Sequence, residues 1–128
     1  MSFAWSEYLA LAQEIVESSS LRASLEARQR STISRSYYAA FCSARNYLRD
    51  VDGDASIPTR GVHEYVRAAY QNNPALTRRQ IGSWLDHLWK WRVQADYFDT
   101  FLGLAPTTSA SLIEARRVLQ NLAREVAR

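Results

Sequence analysis

Residues Ser34–Arg49 read Ser-Arg-Ser-Tyr-Tyr-Ala-Ala-Phe-Cys-Ser-Ala-Arg-Asn-Tyr-Leu-Arg. Wound as a helix, this stretch has two faces. Ile33, Tyr37, Ala40, Phe41, Ala44, Leu48 and Val51 recur at helical spacing and make an apolar side. Arg35, Tyr38, Cys42, Arg45 and Arg49 make a second stripe, offset from the first. A core requires the apolar side. It does not require a basic, aromatic stripe beside it, and that stripe is where a function is to be sought.

The rest of the chain repeats the helical pattern. Ser2 stands where it can cap a first helix carrying Trp5, Leu9, Ala12 and Val16, and Ser18-Ser19-Ser20 breaks it. The long second helix runs from about Leu25 to Val51 and ends at Asp52-Gly53-Asp54, where glycine tolerates the left-handed cap conformation. Thr59 opens a short third helix with Val62, Val66, Ala69 and Tyr70, and Asn72-Asn73-Pro74 stops it. Thr77 opens a fourth, expected to reach about Phe101; Gly103 and Pro106 mark the next turn. A last helix, from about Thr108 to the chain end, puts Leu112, Ala115, Leu119, Ala123 and Val126 on one face. No stretch alternates with period two. The expected fold is all-α: residues 1–128 as one domain, a five-helix bundle with two long antiparallel helices.

Composition narrows the classes of function. With 128 residues, 47% hydrophobic and 23% charged, the chain can bury a core and is not of the disordered class. No run is long and apolar enough to cross a membrane, and the amino terminus lacks a basic segment followed by an apolar one, so no membrane role and a cytoplasmic location are expected. Cys42 is the sole cysteine and has no metal-ligand spacing with another, so no metal is expected, nor does any motif imply a cofactor. The net charge is +3, and all but one of the sixteen basic residues are arginine, which suits bidentate contact with phosphate or carboxylate.

The fourth helix carries three of the four tryptophans, Trp84, Trp89 and Trp91. Ile81, Leu85, Leu88, Ala95 and Leu102 form its apolar face, and Arg92 falls inside that face. A charge there needs a partner. Asp96 and Asp99, four and seven residues on, are the candidates.

Together the two helices resemble the HEPN family, the higher eukaryotes and prokaryotes nucleotide-binding domain. The residues that carry the resemblance are Ser34-Arg35-Ser36-Tyr37-Tyr38-Ala39-Ala40-Phe41 with Ala44-Arg45, then Gly61-Val62-His63, then Arg92-Val93-Gln94-Ala95-Asp96-Tyr97. The resemblance implies a helical homodimer with its cleft at or near the dimer interface. It also implies RNA or a nucleotide as ligand and, as in toxin–antitoxin pairs, a nucleotidyltransferase-type antitoxin as partner. In this chain the cleft would be lined by Arg35, Tyr38, Arg45, Arg92, Asp96 and Tyr97, with Arg35 facing the Arg92–Asp96 group and Tyr38 or Tyr97 stacking on a base.

The chain departs from the ribonuclease members, which carry an Arg, four to six intervening residues and a His. Arg60 stands only three residues before His63, and Arg79 eight before His87. Cys42 stands where a His often follows the Phe. Three functions therefore remain open. One is a non-catalytic module binding a nucleotide, RNA or a protein partner. Another is a ribonuclease toxin with a relocated acid–base group, for which His63 is the candidate catalytic residue. The third is an assembly module whose tryptophan-rich helix meets a partner. His63 and His87 otherwise read as solvated histidines, His63 near a helix start.

Overall fold

Ser24 starts the longest helix. Its hydroxyl accepts from the Ala27 N–H at 3.1 Å, satisfying one of the free donors at a helix start. The computed structural model describes residues 2–127 and has five helices with no strand among them: α1 (Glu7–Glu17), α2 (Leu25–Asp50), α3 (Val62–Gln71), α4 (Leu76–Tyr97) and α5 (Leu104–Ala127). The chain's two ends, Met1 and Arg128, lie outside the described residues.

Helix α2 is the centre, packed by α1, α4 and α5 and more lightly by α3. Its apolar side is buried as its spacing predicts, from Ile33 through Leu48, and so are Thr32, Ser34, Ser36, Ala39 and Cys42. More than one face is covered because more than one helix lies on it, and the small side chains there permit close approach. Two buried hydroxyls find carbonyls on neighbouring helices: Thr32 donates to Ala12 O of α1 and Tyr70 to Ala44 O of α2, both at 2.8 Å.

Side-chain contacts fix the directions. Arg30 reaches the α4 end at Ala95 and Phe98, Tyr37 meets Trp89, and Arg78 lies over Tyr47, so α2 and α4 are antiparallel. Likewise α3 and α4 run antiparallel, His63 by Trp89 and Gln71 by Gly82, as do α4 and α5, with His87 on Glu114 and Thr77 on Glu125. Three helices are long, of 26, 22 and 24 residues, rather than two.

Several boundaries differ from the periodic reading. Helix α1 starts at Glu7 rather than near Ser2, leaving Trp5 in the turn before it. Helix α2 ends at Asp50; Val51 is its half-exposed cap, outside the core, and Gly53 beyond it is left-handed as expected. Helix α3 starts after Gly61 and not at Thr59, because the chain turns into it through a positive φ of 70° that glycine takes without strain. Helix α4 opens after Ala75, without a side-chain cap, and Thr77 instead donates to Glu125. It stops at Tyr97, and Arg30 gathers carbonyls at and just beyond that end: the guanidinium donates to Ala95 O at 3.0 Å, Phe98 O at 2.6 Å and Asp99 O at 3.1 Å. Leu102 lies beyond that stop and is 87% exposed.

Helix α5 starts four residues early, with Pro106 in its first turn where a missing N–H is no loss. Its buried stripe is Thr108, Ser111, Leu112, Ala115, Val118 and Leu122, while Ala123 and Val126 are exposed. A seven-residue step drifts by about 20° on a straight helix, so the row 112–119–126 leaves the core that 111–115–118–122 keeps.

Gly82 marks the closest helix approach. A Cβ there would lie 2.7 Å from the backbone N and the Cγ of Gln71, at the end of α3. Gly82→Ala is therefore expected to destabilise the fold by about 1–3 kcal/mol despite alanine's better helix propensity. Urea unfolding measures this; an unchanged midpoint would show that α3 moves aside freely.

Candidate functional site

Along α2, Arg35, Tyr38, Phe41, Cys42 and Arg45 border one cleft. The amino end of α3 adds Val62 and His63, and the start of the chain adds Trp5 and Tyr8. The cleft has a volume of about 480 Å³, the size of a small-ligand pocket.

Both arginines are held by rings. The Arg35 guanidinium lies 5.0 Å from the Tyr8 ring centroid, and that of Arg45 lies 5.8 Å from Trp5. A ring beneath a guanidinium consumes none of its N–H donors, so those without another acceptor remain for an oxyanion. Arg45 Nε donates to Asn46 Oδ1 at 3.1 Å. Among the described residues no carboxylate lies within ion-pair distance of either arginine, and no acidic side chain lines the cleft.

His63 is not a solvated histidine. Its ring stacks on Phe41 at 4.4 Å and 25° and tilts against Trp89 at 4.9 Å. Nδ1 shares a hydrogen bond with the hydroxyl of fully buried Tyr37. Burial raises the Tyr37 phenol far above its usual range, so it keeps its proton. Burial also lowers His63 below 6.5, and the nearby Arg92, Arg67 and Arg45 cations add to this. At neutral pH the imidazole is uncharged. When the phenol donates to Nδ1, Nε2 carries the N–H; in the other tautomer Nδ1 donates and Nε2 is a free base.

Of the residues assigned to one cleft, Arg35, Tyr38 and Arg45 share it. Arg92, Asp96 and Tyr97 are not among its lining. Arg92 lies against the Tyr38 ring at 5.3 Å, and also over Trp89 and Tyr97, both at 5.5 Å. Its partner is Asp96, Nε to Oδ2 at 2.8 Å, and that carboxylate also accepts from Ser34 at 3.2 Å. Asp99 meets Arg30 through its backbone carbonyl instead. Tyr97 is 70% exposed. Arg35 turns to Tyr8, where the Arg92–Asp96 group had been expected opposite it. His87, the other histidine, bonds Glu114 at 2.8 Å on the far side of α4.

Cys42 borders the cleft but is buried, and burial pushes its thiol up, so it is not a thiolate at neutral pH. Trp5 and Tyr8 had been missed as site residues. The signal for them was the aromatic density of Phe3, Trp5 and Tyr8 at the chain start, of which the helical periodicity singles out Trp5 alone. No signal pointed to Tyr37 as the partner of His63. No family model, curated protein or solved structure matches the chain.

The pH dependence follows from the lowered His63. The unfolded chain takes up this proton before the folded one does as pH falls. The stabilisation is full above about pH 6.5 and is lost as the pH drops toward the folded value. NMR titration should place the His63 midpoint below 6.5. In His63→Phe, which keeps a ring in the stack, stability should fall less steeply between about pH 7 and pH 5 than in the unaltered chain. Equal slopes would contradict the assignment.

Proposed function

We propose that this chain is a HEPN-like module that binds a nucleotide, free or within RNA, in the cleft between α1, α2 and α3. Arg35 and Arg45 take phosphate there. The observation that carries the reading is the pairing of two ring-held guanidinium groups with an aromatic wall, in a cleft with no acidic lining among the described residues. Anionic phosphate and a planar base need those two chemistries side by side. Arg92, Asp96 and Tyr97 belong to this reading as the support behind Tyr38. Arg92 packs on that ring, and Asp96 holds Arg92.

A second reading, a ribonuclease toxin, is favoured by one observation: uncharged His63 lines the same cleft as the two arginines. In the tautomer with Nε2 free, it could take the proton from a 2′-hydroxyl as that oxygen attacks phosphorus and the 5′ oxygen leaves. The guanidinium groups would hold the charge gathered on the phosphorane. The HEPN resemblance further implies a second copy of the chain and a nucleotidyltransferase-type antitoxin as partners. Exposed Tyr97, Phe98 and Leu102 are apolar surface available to such a partner.

Isothermal titration against a panel of nucleotides and single-stranded RNA tests the binding reading. Arg35→Ala and Arg45→Ala should each weaken binding by about tenfold or more, while Arg117→Ala on exposed α5 should leave it unchanged. Rising salt should weaken binding. Arginine variants that bind as tightly as the unaltered chain would sink this reading. Incubation with total RNA tests the second: degradation should be lost in His63→Ala and kept in Arg117→Ala, and intact RNA with the unaltered chain would rule it out.

A further inference from the structure

Four aromatic side chains line the cleft, and three already have company on their faces. Phe41 stacks on His63, at 4.4 Å and 25°, with Tyr37 beside both, 5.5 Å from Phe41 and 5.7 Å from His63. Tyr38 carries the Arg92 guanidinium at 5.3 Å and Tyr8 carries that of Arg35 at 5.0 Å. Trp5 differs. Its ring contacts with Phe3, at 4.9 Å and 86°, and with Tyr8, at 5.3 Å and 85°, are edge-to-face. The group over its ring, Arg45, stands further off, at 5.8 Å.

These contacts orient the indole without stacking a ring on it. Trp5 lies in the turn before α1, where its carbonyl accepts from the Tyr8 N–H at 3.0 Å. Phe3, half-exposed, has its ring contacts with Trp5 and Tyr8 and so props the wall from outside. Trp5 and Tyr8 pack partly buried against the core, and with Phe3 they gather three aromatic rings at the cleft's edge.

We propose that Trp5, propped by Phe3 and Tyr8, is the base-recognising wall of the cleft, and that it makes the site select ring-bearing phosphates over simple sugar phosphates. The inference rests on the nucleotide-binding reading above and assigns its base specificity to the start of the chain, not to Tyr38 or Tyr97. The base stacks on the indole beside Arg45, whose N–H edge remains for phosphate. Arg35 supplies phosphate affinity without regard to the base.

Calorimetric titration with ribose 5-phosphate and with adenosine 5′-monophosphate tests this in the unaltered chain, Trp5→Ala and Trp5→Phe. The unaltered chain should prefer the nucleotide by about tenfold or more. In Trp5→Ala the two affinities should come within about twofold, with the nucleotide losing clearly more than ribose 5-phosphate, and Trp5→Phe should keep part of the preference. A preference that persists in Trp5→Ala overturns the proposal. So does an equal loss of both ligands in both variants, since a merely structural role would lower both together. No preference in the unaltered chain overturns it as well, while leaving phosphate binding at Arg35 standing. If the unaltered chain binds neither ligand, the underlying reading falls with it.

Discussion

Covering α2 on several sides at once is the constraint from which the other features follow. A helix of 26 residues buried by α1, α4 and α5 cannot hide only its apolar stripe, and Thr32, Ser34, Ser36, Ala39 and Cys42 go under with it. Small side chains make this tolerable, because each adds little volume, although the buried Ser36 hydroxyl goes under without a hydrogen-bond partner among the described residues. Along its middle, Arg35, Tyr38 and Arg45 stay partly uncovered, bordering the cleft with the starts of α1 and α3. The cleft is thus the part of α2 that no helix has room to close.

Cations near the cleft are managed by rings more than by carboxylates. Arg35, Arg45, Arg67 and Arg92 each lie over an aromatic side chain. Of these four, Arg92 alone has a carboxylate at hydrogen-bonding distance among the described residues; Arg67 stands 3.9 Å from Asp86. A ring holds a guanidinium in place without neutralising it, whereas an ion pair would use its donors. The resulting positive field is also part of why His63 stays uncharged beside them. Elsewhere the chain uses arginine structurally. Arg30 closes the end of α4, and Arg78 bonds Asp52 at 2.6 Å while covering Tyr47.

Much of this was legible along the chain. The α2 stripe of Arg35, Tyr38 and Arg45 was visible because residues on one helix face share a fixed spacing, whatever surrounds them. The Arg92–Asp96 pair was visible for the same reason. Whether those two groups face each other depends on the angle at which α4 crosses α2, and spacing on either helix says nothing of that. Errors at the helix ends have a common origin. The end of α4 is met by an arginine more than sixty residues away in sequence, and the α5 stripe follows from which side the bundle presents to it.

By itself, the sequence determined five helices, the buried side of the central one and the chemistry of its second stripe. Those are consequences of periodicity and side-chain type, which act over a few turns. Tertiary structure alone decided that His63 and Tyr37 are hydrogen-bonded, that Cys42 is buried, and that Trp5 and Tyr8 wall the site. Each joins segments distant along the chain or depends on neighbouring helices. Such contacts are set by how helices pack, and packing answers to the volume and direction of all the side chains between them.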